Sequence, residues 1–295
     1  MCYSYLPETD RVLTLEEYVD FVRCEVNPRD LASIGASASK LMELANNRTF
    51  VTEIFNAQLA VGVETLAFYS PQSAILVASQ PFSVRLNVWP LVSPNPRQCK
   101  IESGIYSYGD AHDHNFTFMT AGYYGPGYET IIYEYDRDKV IGYIGEQVDI
   151  RLLEQTSLPL GKVMLYRPFK DIHTQIPPAS FSMSINLLIS EPENALTQQY
   201  YFNIEKGIIC DFVESLSTKR VSVLECLRFV GNENSKDLLQ HLSRRHPCAR
   251  TRWAAFETLA AMEPATAEDH WASAARDSDR LVQHAARTRL CASNR

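Results

Sequence analysis

The chain has 295 residues, of which 45% are hydrophobic and 21% charged, and its formal net charge is -7. That length suffices for two or three compact units that each bury a core without cross-links, and no apolar run approaches the roughly 18 to 20 residues that span a bilayer. The acidic balance argues against a nucleic-acid footprint, since gripping a polyanion needs clustered Lys and Arg; the basic group Arg244, Arg245, Arg250 and Arg252 is spread as on a solvated helix face.

Met1 to Arg11 carries tyrosines and acids where a secretory signal needs a basic start and an apolar stretch. The seven cysteines, Cys2, Cys24, Cys99, Cys210, Cys226, Cys248 and Cys291, are scattered and contain no CxxC pair, so reduced structural thiols and a cytoplasmic setting are expected. From Leu13 to about Val63 the pattern is helical. Thr14 with Glu16 and Glu17 marks a start, and Tyr18, Phe21 and Val22 form an apolar face. After Ser70-Pro71 the period changes to two. Phe82, Val84, Leu86 and Val88 alternate with Ser83, Arg85, Asn87 and Trp89, which predicts a strand with two different faces.

Further strands are expected at Ser73 to Ser79, Ile105 to Ser107, His112 to Met119, Glu129 to Tyr135, Val140 to Ile144, Val148 to Leu152, Val163 to Arg167 and Phe181 to Ser190. Between them stand Gly125-Pro126-Gly127, Asp136 to Asp138 and Pro177-Pro178, which are turn chemistry. Many short strands with no helical pattern between them argue for a sandwich or barrel. From about Ser215 the period is helical again. An offset of 32 residues superimposes Arg220, Leu224, Glu225 and Leu227 on Arg252, Phe256, Glu257 and Leu259. A repeat of that length is one helix pair, which stacks on its neighbours to bury its face.

Three histidines carry the chemistry. His112 and His114 are spaced to project from one face of a strand, and a third, His173, follows 59 residues after His114 beside another strand region. Three neutral nitrogen donors suit Fe, Zn, Cu or Ni and leave positions for substrate or dioxygen. Tyr106, Tyr108 and Phe116 share the parity of the pair and are expected to line the same cavity; Glu129, beyond the Gly125 to Gly127 turn, is expected at the rim.

On these residues the region from Gln72 to Pro192 resembles the cupin superfamily and, within it, the thiol dioxygenases of the cysteine dioxygenase type. Ala111-His112-Asp113-His114-Asn115 is similar to the first cupin motif, and Pro159-Leu160-Gly161 with His173 to the second. Most cupins place an acidic ligand four or five residues after the pair, where this chain has Phe118 and Met119. That pattern matches the three-histidine set of the thiol dioxygenases. The resemblance also implies a substrate-gripping arginine at Arg85 and places Asn186 in the family's Ser-x-His-x-Tyr element, here Ser184-Ile185-Asn186-Leu187-Leu188. Met119 stands where the family has its crosslinked cysteine, and with the altered element this argues against cysteine itself as substrate. The carboxyl-terminal segments, such as His246-Pro247 through Leu259, resemble HEAT-type repeats.

The expected fold is α+β: an amino-terminal helical cap over residues 1–70, a cupin-type β-barrel (double-stranded β-helix) over 71–205, and a HEAT-like all-α extension over 206–295. The expected function is an iron(II)-dependent oxygenase using O2. Its metal ligands are His112, His114 and His173, and Arg85, Tyr108, Phe116 and Asn186 bind a small amino-acid-like or thiol substrate. The rival is a non-catalytic cupin module whose helices dock a protein partner or a second copy.

Overall fold

The computed structural model describes residues 3–61 and 70–293; the expected helical stretch to Val63 ends, and Cys2 lies, outside them. The chain is α+β, with two antiparallel sheets and a set of helices before and after them. Its contacts form two compact units. The first runs to Tyr135 and resumes over Asp149–Glu191; the second is Asp136–Val148 with the chain from Pro192 onward.

The first unit begins with β1 (Tyr3–Tyr5) and four helices, α1 (Leu15–Glu25), α2 (Leu31–Ala36), α3 (Ala38–Ala45) and α4 (Phe50–Val61). α1 starts at a reciprocal cap. Thr14 Oγ1 accepts from the Glu17 N–H at 3.1 Å, and the Glu17 carboxylate accepts from the Thr14 N–H at 2.8 Å. The strands follow as β2 (Ser73–Ser79), β3 (Phe82–Trp89), β4 (Ala111–Asp113), β5 (Thr117–Tyr124), β6 (Glu129–Glu134), β7 (Arg151–Ser157), β8 (Val163–Tyr166), β9 (Asp171–Ile176) and β10 (Ser182–Ile189).

One sheet has the order β1-β8-β5-β10-β3-β2, and the other contains β4-β9-β6-β7. Apart from the β6–β7 hairpin, which stays in one sheet, the eight strands β3 to β10 alternate between β8-β5-β10-β3 and β4-β9-β6-β7, which is the connectivity of a double-sheet jelly roll. Alternation then sorts the side chains of the first sheet. Val84, Leu86, Met119, Ala121, Val163, Leu165, Ile185 and Leu187 are buried in one cluster with Tyr18, Val22, Leu41 and Leu44 of the helices, whereas Trp89, Phe118, Met164 and Tyr166 point into the barrel. The helices and the sheet therefore share one core, and the boundary expected at residue 70 does not separate two cores. At the turn before β6, Gly127 has φ +82° and a Cβ there would strike the Leu158 carbonyl, so glycine is required.

Several local expectations are corrected. Ile105 to Ser107 is not a strand: a helix, α5 (Pro96–Ile105), ends there, started by Asn95, whose side chain accepts from the N–H groups of Arg97 and Gln98, with Pro96 at the first position. His112 to Met119 is two strands broken by a turn at 114–116. Val140 to Ile144 is irregular because the Glu146 carboxylate takes the N–H groups of Ile141 and Gly142, which removes them from any ladder. The strand expected at Val148 to Leu152 starts at Arg151.

The second unit holds a hairpin, β11 (Tyr200–Asn203) with β12 (Ile208–Phe212), so it starts before the boundary expected at residue 205. Five helices follow: α6 (Leu216–Val230), α7 (Glu233–Arg245), α8 (Ala249–Met262), α9 (Ala267–Ala274) and α10 (Arg280–Ser293). α8 packs on α6 and α7 and also on α9 and α10, so α6, α8 and α10 stack in turn. Arg252 on α8 holds Asp277 through Nε and Nη2 at 2.8 and 2.7 Å, and the Thr258 hydroxyl donates to the Leu224 carbonyl at 3.2 Å. Among the described residues no helix is long and apolar enough to cross a membrane.

Candidate metal centre

Strand register brings the first and third histidines together. His112 on β4 lies directly opposite His173 on β9, whose other neighbour is Ile132 on β6. His114 follows just past the end of β4, so strand alternation alone does not aim it. Its backbone is held by the β8–β9 turn, where the Phe169 N–H donates to the His114 carbonyl at 2.8 Å. Phe169 sits there at φ +58°, a costly conformation for a bulky residue. The turn is locked by Arg167, whose backbone N–H and guanidinium both bind the buried Asp171 carboxylate, while its Nη2 reaches Glu134 at 3.0 Å.

The three rings converge through Nε2. His114 and His173 present these atoms 3.0 Å apart, and His173 and His112 3.2 Å apart. A metal bound at ~2.1 Å by nitrogens between right angles and the tetrahedral angle spaces them about 3.0–3.4 Å apart; the two spacings to His173 fall in that range, and the three ligand atoms all lie within 4.8 Å of one another. Of the described residues, these three form the group whose ligand atoms lie close enough to share a metal. His112 Nδ1–H donates to the Asp110 carbonyl at 2.9 Å, which fixes its tautomer and frees Nε2 for coordination. Burial pushes the His112 value below the ordinary 6.5, and burial with the neighbouring His112, His114 and Arg85 pushes that of His173 well below it. Both are therefore neutral donors at pH 7, the form a metal needs.

Aromatic rings enclose the site. Phe118 meets His114 edge-on at 4.9 Å and stacks on Tyr166 at 4.4 Å, and Tyr166 lies 4.8 Å from His173. The position where most cupins carry an acidic ligand is thus part of an apolar wall. Phe116 packs on His114 at 4.6 Å and lines, with Ser83, Leu188 and the turn at Gln80-Pro81, a pocket of about 320 Å³ beside the site.

The remaining expected residues divide. Arg85 is half-buried, and its charge is felt by both His112 and His173. Asn186 stands opposite Arg85 on one side and Thr120 on the other, so the three form one row across β3, β10 and β5. Asn186 Nδ2 and Thr120 Oγ1 are buried without a hydrogen-bond partner. Tyr108 is buried, with its hydroxyl donating to the Pro90 carbonyl at 2.9 Å and its ring packed on Trp89. Tyr106 packs on Tyr108 at 5.9 Å and reaches the same aromatic cluster. Glu129 is exposed at the start of β6, three residues before the Ile132 that faces His173. Met119 is fully buried in the core shared with the helices, on the face of β5 away from the metal side. Nothing local in the sequence marks Tyr166 or Thr120 as part of this site, whereas Gln175, two residues from His173 on the same strand face, carries a local signal.

No protein-family profile matches the chain, and no curated protein matches it. Parts of it resemble solved structures at low identity. The DMSP lyase DddQ from Ruegeria pomeroyi is 12% identical over 50% of this chain and 65% of that chain, with a TM-score of 0.26. An oxalate oxidase is 10% identical over 68% and 79%, TM-score 0.24, and the vicilin from Solanum melongena 12% identical over 60% and 42%, TM-score 0.28. Against the DMSP lyases and an 11S globulin from Brassica napus, the chain spans less than two thirds of the other protein's length.

Proposed function

We propose that this chain is a cupin-type, iron(II)-dependent oxygenase in which His112, His114 and His173 hold the metal and a small amino-acid-like or thiol substrate reacts with O2. The observation that carries the reading is the convergence of three imidazole Nε2 atoms, two of them on buried histidines that burial keeps neutral, with an aromatic side chain, Phe118, in place of an acidic ligand. When bound there, iron(II) supplies redox chemistry toward dioxygen, and with neutral protein ligands it favours an anionic donor from the substrate.

The chain's own residues provide the rest. Arg85, Asn186 Nδ2 and Thr120 Oγ1 offer a guanidinium, an amide and a hydroxyl donor in one row, the set a substrate carboxylate needs. Phe116 and Phe118 pack on His114, and Tyr166 on His173, which lowers the polarity beside these rings and strengthens electrostatic contacts there. Tyr108 serves as wall rather than as a polar contact. The test is anaerobic loading with iron(II) followed by oxygen uptake with a panel of amino acids and small thiols. Consumption with one of them and loss of iron retention in His112→Ala are expected; no uptake with any overturns the assignment.

A second reading has its own observation. α6 exposes Leu216, Val223, Phe229 and Val230, an unusual apolar load for a solvated helix. On that reading the HEAT-like helices dock a protein partner or a second copy, and the barrel is a non-catalytic binding module. Metal content of the protein as purified separates the two: stoichiometric iron supports the oxygenase, and absence of any metal supports the module.

A further inference from the structure

Each imidazole that binds a metal through Nε2 carries its proton on Nδ1, and that proton needs an acceptor. His112 has one in the Asp110 carbonyl. The group beside His173 is Gln175, 5% exposed, two residues along the same face of β9. Its Nε2 lies 3.0 Å from His173 Nδ1 and 3.2 Å from His173 Nε2, while its Oε1 is buried with no hydrogen-bond partner. The backbone at this position is pinned, because the Gly109 N–H donates to the Gln175 carbonyl at 2.9 Å. Directly opposite Gln175 in the β6–β9 register stands Thr130, fully buried, and its Oγ1 is also without a partner.

A metal on His173 Nε2 makes Nδ1 a donor, so the amide NH2 cannot remain its partner. Half a turn about the Cγ–Cδ bond brings Oε1 onto Nδ1–H and turns the NH2 away. Opposed residues of an antiparallel pair have Cβ atoms about 4.5–5.5 Å apart, within reach of a glutamine amide, so the NH2 can then donate to Thr130 Oγ1. One rotation satisfies three groups that otherwise lack a compatible partner: the imidazole proton, the amide oxygen and the threonine hydroxyl.

We propose that Thr130, Gln175 and His173 form a hydrogen-bonded relay that fixes the metal-binding tautomer and orientation of His173, with Gln175 as the positioning residue. The relay rests on the metal-centre reading and adds what holds its third ligand. It does not depend on which substrate is oxidised.

The test is a Co(II) titration of the full chain against a competing chelator, followed by visible absorption, for the unaltered protein, Gln175→Leu, Gln175→Glu and Thr130→Val. Circular dichroism and thermal melting without metal check that each variant folds. Gln175→Leu is expected to weaken Co(II) binding about 10- to 100-fold with unchanged band positions. Gln175→Glu, which keeps an acceptor on Nδ1–H, should bind at least as tightly as the unaltered protein, and Thr130→Val should lose less than Gln175→Leu. Gln175→Leu binding within about twofold of the unaltered chain, Gln175→Glu losing as much as Gln175→Leu, or bands shifted to a lower coordination number, which would make Gln175 a ligand, each overturns the relay. Failure of the unaltered chain to take up Co(II) at all overturns the metal centre instead, and is read separately.

Discussion

The two sheets of the jelly roll are built on different principles. The sheet β8-β5-β10-β3 is apolar on its outer face, where Met119, Leu165, Ile185 and Leu187 are fully buried against α1 and α3. The sheet β4-β9-β6-β7 instead buries Asp113, Asp171, His173 and Gln175, and its two buried acids are held by particular partners: Tyr135 donates to Asp113 at 2.6 Å, and Arg167 binds Asp171 and also Glu134. One sheet derives stability from area, which tolerates small shifts. The other depends on paired charges and hydrogen bonds, which fail when one member is removed. Two of the three candidate ligands, His112 and His173, lie in the second sheet, where polar groups are held at fixed spacing by that kind of support.

Replacements can break this contrast. The largest effect is expected from Asp171→Ala, which takes from the Arg167 guanidinium, only 12% exposed, its fully buried partner, leaves it with Glu134, and releases the turn that holds His114. A loss of about 3–5 kcal/mol is expected, together with weakened metal binding, measured by chemical unfolding and metal titration. Leu187→Ala in the other sheet should cost about 3 kcal/mol by leaving a cavity, yet leave metal affinity within a few-fold of the unaltered protein. Equal damage to metal binding from the two would erase the distinction.

Metal itself sharpens it. At a free concentration about 100 times the dissociation constant, an ion bound to the folded state alone adds about 2.7 kcal/mol. His173→Ala should abolish that increment, so that the variant melts at the same temperature with and without the metal.

Acid provides the smallest and most selective probe. The buried histidines have folded values below 6.5, so below about that pH the unfolded chain binds more protons and stability falls. Glu134 is held down to about 2 from 4.5, chiefly by its hydrogen bond from Arg151, with Arg167 adding to it. Its contribution is complete above about 4.5 and is lost as pH falls toward 2. A stability profile should therefore descend in two steps, with His173→Ala flattening the first and Glu134→Gln the second. Leu187→Ala should shift the whole curve without changing its shape.

Much of this was legible in the sequence because it is local. The cap at Thr14 and Glu17, the two faces of Phe82 to Trp89, the turn at Gly125 to Gly127 and the helical period after Ser215 all follow from periods of 3.6 or 2 and from turn chemistry. The histidine pair and the aromatic residue at Phe118 were visible in the same way. Local patterns failed where a side chain competed with the ladder, as Glu146 does at Ile141 and Gly142, and where Asn95 and Pro96 started a helix in front of an expected strand.

Local patterning is enough to make one strand face apolar and to supply three imidazoles. The pairing of His112 with His173 across two strands, the turning of Met119 toward the helices and of Tyr108 toward Pro90, and the opposition of Gln175 and Thr130 come from the fold. The reason is physical: parity is set within a few residues, whereas register between strands some sixty residues apart depends on which core each face must bury.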